Sequence, residues 1–250
     1  MAAAPLPPAS VPSPNPEPAA LSQGARIVDT FIAPSKTFTD LRRSAQWWLP
    51  FLLVTLVGWG LVYVAEQKIG TQKMVENELQ ARPKAEARYE QATPEQRQQQ
   101  VKWTGIIYYV AIPVVTLIIW LLMSGLQFAT FKFGANAKIS YSQSLAVVVF
   151  AGLPMMLRNL LAIFSVLAGA SADGFTLNNP IASNPGYFMN AAENPFWYFI
   201  ASQLDVFLLW TLALTAVGFA TTGKVKLGTS FAIVIGWWVV ITLAFAAIFS

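Results

Sequence analysis

Five stretches of this chain are apolar over about the length of a bilayer crossing: residues 49–65, 105–131, 143–168, 196–220 and 227–249. A helix needs roughly 17–25 such residues to cross the hydrocarbon. The chain therefore reads as an all-α integral membrane protein with five transmembrane helices. Its composition agrees, with 55% hydrophobic and only 11% charged residues, against roughly 25% charged in an average soluble domain. Start signals mark several spans. Trp47 and Trp48 introduce the first as interface anchors, Ser140 and Gln143 have capping-box spacing, and Asn194 precedes a first-turn proline, Pro195.

The segments outside the spans differ in kind. Residues 1–25 carry seven prolines among Ala and Ser, a composition that buries no core, so they are expected to form a disordered tail. With no basic residue before Arg26 and no apolar run, they are not a secretory signal. Residues 26–45 interleave Ile27, Val28, Phe31, Ile32, Phe38 and Leu41 with Lys36, Arg42 and Arg43. That pattern predicts one or two short helices at the membrane surface, with a solvated linker as the alternative. Residues 66–104 are the polar exception. They read as helical extensions of the first two spans, broken at Pro83 and restarted by a capping box at Thr93-Pro94-Glu95-Gln96. The domain organisation is thus a tail at 1–25 and a membrane domain at 26–250 with a polar hairpin at 66–104.

Charge sets an expected orientation. With the N-terminus inside, the inner flanks carry Arg26, Lys36, Arg42, Arg43, Lys132, Lys138, Lys224 and Lys226, whereas 169–195 and the C-terminus carry no Lys or Arg. Segment 66–104 holds seven bases interleaved with six Glu, which makes the raw count nearly even. The positive-inside rule is most reliable on short flanks, and there it places the N-terminus in the cytoplasm and the C-terminus outside an inner (cytoplasmic) membrane.

Two ionisable groups lie within the spans, Arg158 in the third and Asp205 in the fourth. Such residues are functional candidates by default. Counted from the outer ends of adjacent antiparallel helices, both fall about 14–15 Å deep. This predicts an Arg158–Asp205 ion pair near the midplane, with Asn159, Ser202 and Gln203 completing its hydrogen bonds. It serves either as a structural clasp or as part of a transport route. Pro113 and Pro154 are expected to kink their helices and free the carbonyls of Tyr109 and Phe150. Gly228, Ala232, Gly236 and Ala244 form a small-residue stripe for packing within the bundle or between protomers, the former being the expectation.

Enzyme chemistry finds little footing. The chain has neither His nor Cys, which excludes the usual zinc sites, cysteine nucleophiles, Ser–His triads and disulfides. Gly218–Lys224 has phosphate-loop spacing, but Val225 stands where Ser or Thr should hold Mg²⁺, and an apolar helix precedes it instead of a strand. It reads as a short turn with a glycine helix cap. Aspartyl intramembrane proteolysis needs two membrane carboxylates, and the spans offer only Asp205. No catalytic residue, cofactor or metal is assigned.

A family resemblance adds to this reading. The proline-rich head, Phe31-x-x-Pro34-x-x-x-Phe38, Gly152-Leu153-Pro154, and Leu204-Asp205-Val206-Phe207-Leu208-Leu209-Trp210 running to Gly218-Phe219 together resemble the Yip family (Ypt/Rab-interacting proteins) in its prokaryotic form, over about residues 26–249. The resemblance implies a five-helix membrane domain with a cytoplasmic N-terminus. In eukaryotes the family is tied to vesicle traffic, Rab-type GTPase binding and membrane shaping; the GTPase role does not carry over to prokaryotic relatives. The functional expectation is a non-enzymatic protein that organises membrane or recruits protein partners. The alternative is a transporter or channel subunit using Arg158 and Asp205. Expected partners are the lipid bilayer and other membrane or cytoplasmic proteins, with homo-oligomers allowed and no nucleic acid.

Overall fold

A computed structural model describes residues 19–80 and 82–249. Ser22 caps α1 (Gln23–Ile32), its side chain accepting from the Ala25 amide at 3.1 Å. The chain is therefore helical from Gln23, two residues before the expected end of the tail; the rest of that expectation, at 1–18, lies outside the described residues. Pro34 opens α2 (Pro34–Asp40), its fixed φ suiting a first helical position.

The first span is α3 (Trp48–Lys68). It does not extend to Pro83 as expected. Gly70, at φ +89°, turns the chain, and α4 (Thr71–Gln80) and α5 (Pro83–Gln91) follow as separate helices. The capping box at Thr93 and Gln96 then starts α6 (Pro94–Ala129), 36 residues and so about 54 Å long. A π-helical turn, Thr130–Gly134, closes it. Ser140 and Gln143 exchange both capping-box bonds at 3.3 and 2.9 Å to start α7 (Tyr141–Ala151). Next comes α8 (Leu153–Leu167).

Pro154 lies in the first turn of α8, where a missing N–H costs nothing, just after the break at Gly152 that divides the Tyr141–Leu167 span into α7 and α8. Pro113 does lie inside α6. The Tyr109 carbonyl that it deprives of a helical donor accepts instead from the Trp59 indole at 2.8 Å.

The expected fourth span at 196–220 is two helices, α9 (Pro195–Ser202) and α10 (Val206–Gly223). Asp205 is extended, at ψ 131°, and caps α10. Lys224, not a glycine, ends α10 in left-handed conformation at φ 56°, while Gly223 allows close approach to Ala137. The fifth span is α11 (Leu227–Phe249).

Among the described residues, five helical segments are long and apolar enough to cross a membrane: Trp48–Lys68, Pro94–Gly134, Tyr141–Leu167, Val206–Gly223 and Leu227–Ile248. Helix α10 is the hub, packed on α2, α7, α8 and α11, while α3 lies along α8. At Gly218 of α10 a Cβ would fall 2.5 Å from Val147 Cγ1 and 3.0 Å from the Phe38 ring. Beside it Phe131 and Phe219 stack at 4.4 Å. A second core, with Leu61, Ala65, Met74, Ala162, Val166 and Phe175, joins α3, α4 and α8 to the segment after α8. Ile107, Val110, Ile118 and Leu122 of α6 face outward, as lipid contact requires.

The small-residue stripe does not pack within the bundle, which corrects that half of the expectation. Gly228, Ala232, Gly236 and Ala244 are all exposed, and a Cβ at Gly228 or Gly236 would meet nothing within 4 Å. Helix α11 instead buries Ser230, Val234, Thr242 and Ala246.

Candidate functional site

Asp205 is where the polar chemistry converges. Its Oδ1 accepts from the Phe207 and Leu208 amides at 2.9 and 3.1 Å, satisfying donors that the first turn of α10 leaves open. Its Oδ2 accepts from the Ser183 hydroxyl and from Asn184 Nδ2 at 3.5 Å, and lies 3.7 Å from Arg158 Nε. At that distance the arginine contact is a charge interaction, not a hydrogen bond. Arg158 donates instead to the Asn178 carbonyl at 2.6 Å. The side chains are 12% and 5% exposed.

The partners come from an unexpected quarter. Asn178, Ser183 and Asn184 occupy the roles anticipated for Asn159, Ser202 and Gln203. All three belong to segment 169–194, which folds over the ends of α8 and α10 as a cap. Backbone pairing of the Val206 amide with the Ser183 carbonyl at 3.1 Å stitches the cap to the helix start. Ser202 faces Gly186, where a side chain would collide with it. The cap also docks on α4: Asn77 donates to the Ala172 and Phe175 carbonyls at 2.7 and 3.0 Å, and Lys73 pairs with Asp173 at 2.7 Å. The hydrogen bond from Lys73 holds the Asp173 carboxyl below the usual range.

The depth also differs from expectation. Eighteen residues of α10 separate Asp205 from the turn holding Lys224 and Lys226. That is about 27 Å of helix, against roughly 30 Å of hydrocarbon, so the pair lies toward the opposite face instead of the midplane.

A second polar contact at the other end of α10 was not anticipated. Arg26 of α1 meets Asp40 of α2 at 2.7 Å, with side chains only 3% and 7% exposed. Thr30 and Thr37 both donate to the Arg26 carbonyl, at 2.7 and 2.9 Å. This locks the two short helices into a hairpin around Pro34. Phe38 plugs the hairpin into the core beside Gly218, and the Thr222 hydroxyl donates to the Phe38 carbonyl at 3.0 Å. Phe31 packs edge-on against Trp210 at 5.6 Å. Lys36, Arg42 and Arg43 are exposed, as are Val28 and Ile32.

The hairpin and α10 hold two of the stretches that carried the family resemblance, and here they form one packed unit. A family model described as the Yip1 domain matches residues 28–248. The chain belongs to the Yip1 family. Comparison with curated proteins and with solved structures finds no match. For this Yip1 domain, then, Phe31, Phe38, Trp210 and Gly218 mark where the N-terminal hairpin seats on the membrane bundle. As an all-helical, multi-pass membrane protein it offers two polar assemblies: the basic hairpin at one end of α10 and the Arg158–Asp205 cap at the other.

Proposed function

We propose that this chain is a non-enzymatic membrane adaptor that recruits a protein partner through the α1–α2 hairpin, with the hairpin and N-terminus on the cytoplasmic side of an inner membrane. One observation carries the reading. The hairpin is anchored by a buried ion pair and a fully buried Phe38, yet leaves exposed both apolar residues, Ile32 at 75% and Val28 at 55%, and the bases Lys36, Arg42 and Arg43. A rigid face that mixes apolar anchors with bases loses little freedom on binding, and such preorganisation favours recruitment. The Arg158–Asp205 pair serves on this reading as a clasp between cap and bundle.

Affinity purification in mild detergent tests it. The wild-type chain should retain a stoichiometric partner, and K36E/R42E/R43E should lose it without a change in melting temperature. A transport reading draws on the break before α10, because discontinuous helices with capped N-termini build solute sites in transporters. Thermal stabilisation by a solute, abolished in Asp205→Asn, with no partner retained by the wild type, would favour it instead.

A further inference from the structure

The cap contains a cavity of about 270 Å³ that neither assembly uses. Its wall includes Asn77 and Gln80 of α4, Asp173, Asn179 and Tyr187 of the cap, and Tyr198 of α9. Asn77 is only 4% exposed, and both of its amide hydrogens are committed to the Ala172 and Phe175 carbonyls. Its Oδ1 is buried with no protein donor, so Asn77 serves the wall as a clamp that holds the cap on α4. Asp173, the carboxylate in the wall, is already paired with Lys73. What remains for a ligand is a set of neutral amides and phenols, with two aromatic rings.

That lining suits a ligand of particular chemistry. A phosphate would find no free cation in the wall, and an ammonium would find its one carboxylate already engaged. A compact group with several hydroxyls fits: they exchange bonds with Gln80 and the tyrosine hydroxyls, and its C–H face lies on an aromatic ring. The volume is below the roughly 300–1,000 Å³ of drug-sized pockets and suits one ring. We propose that this cavity binds a single sugar ring, either a free monosaccharide or the headgroup of a glycolipid in the adjacent leaflet. Occupancy would reach the charge network, because Asn179 in the wall accepts from Asn184 at 2.7 Å and Asn184 bonds Asp205. The inference stands apart from the hairpin's proposed role and survives its failure.

The test uses the full chain purified in an amine-oxide detergent, which has no sugar headgroup to compete. It is titrated with methyl β-glucoside and methyl N-acetyl-β-glucosaminide. Separately, it is reconstituted in phosphatidylethanolamine–phosphatidylglycerol vesicles with and without monoglucosyl diacylglycerol. The expected result is a saturable rise in thermal midpoint with a free glycoside or with the glycolipid. Half-saturation should move up about tenfold in Gln80→Leu and in Tyr187→Ala, a loss equivalent to one good hydrogen bond. Both are exposed wall residues, so their midpoints without ligand should stay in place. A response to the free glycosides identifies a soluble sugar; a response only in glycolipid vesicles identifies the headgroup. No saturable rise from either source, or an equal rise in both variants, overturns the proposal.

Discussion

Asp205 performs two tasks that substitution can separate. Asp205→Ala removes the helix cap and leaves Arg158 without its carboxylate, and should destabilise the protein by about 3 kcal/mol. Asp205→Asn keeps an N-cap side chain and loses only the charge, so its loss should be about 1 kcal/mol smaller. Arg158→Met should cost less than either, because Ser183, Asn184 and two backbone amides still hold the carboxylate. Thermal unfolding in detergent reads all three, and equal losses would refute the division of labour. The cap role also means that Arg158→Asp with Asp205→Arg does not restore the site, since arginine cannot accept from the Phe207 and Leu208 amides. A second pair of residues makes a closed cycle. Trp59→Phe alone should cost about 1 kcal/mol by stranding the Tyr109 carbonyl. In a Pro113→Ala background the new amide at position 113 supplies that bond, so the same change should cost much less. A double-mutant cycle with no coupling would contradict this. The freed carbonyl was legible in the sequence, because Pro113 removes a donor at a fixed offset. Its replacement donor was not, since Trp59 reaches it only through tertiary packing, as Asn178 and Ser183 reach the charges only because the cap folds inward.

At the scale of elements, periodicity located helices better than faces. Helix α11 carries two sets of residues: 228, 232, 236 and 244 in one, and 230, 234 and 242 across the helix in the other. Both recur at helical spacing, and nothing local says which turns inward. Burial answers with the second, through Ser230, which donates to the Ala216 carbonyl at 2.6 Å. Two glycine substitutions therefore diverge. Gly236→Ala meets open space and should be neutral or stabilising by up to about 1 kcal/mol on helix propensity. Gly218→Ala places a methyl against Val147 and Phe38 and should destabilise by about 1–3 kcal/mol. It should also loosen α2 from α10, which protease cleavage between Thr37 and Trp48 would report. Equal behaviour of the two variants would show that α10 is not the packing hub. The broken fourth span was hidden for a related reason. Gln203-Leu204-Asp205 lies in an apolar run, and an aspartate there reads equally well as a buried charge within a helix or as the cap of a new one.

For the molecule as a whole, the five spans were legible because hydrocarbon thickness imposes a length that apolar runs report directly. Orientation rests on thinner ground, since segment 66–104 carries seven bases on the side expected to be outside. The fold ties that segment to the cap, through Asn77 to Ala172 and Phe175 and through Lys73 to Asp173. The hairpin α1–α2 packs along α10 from Trp210, where Phe31 rests, to Thr222, which donates to the Phe38 carbonyl beside the turn holding Lys224 and Lys226. Two spans of chain and these contacts place 66–104 and 169–194 on one side, so a single orientation governs both. The sequence has no cysteine, and engineered cysteines therefore report without background. Glu90→Cys on α5 and Ser171→Cys in the cap should react with a membrane-impermeant maleimide in intact cells, whereas Lys36→Cys on the hairpin should react only after permeabilisation; all three positions are exposed in the fold. Because the bases of 66–104 alternate with six Glu, their net pull on insertion is weak, while the hairpin's Lys36, Arg42 and Arg43 lie next to the first span, where positive charge governs orientation most strongly. Replacing those three by Gln should accordingly produce a labelled fraction of inverted molecules, and substituting the bases of 66–104 should not. Labelling of Lys36→Cys in intact cells would reverse the orientation and, with it, the side from which a partner reaches the hairpin.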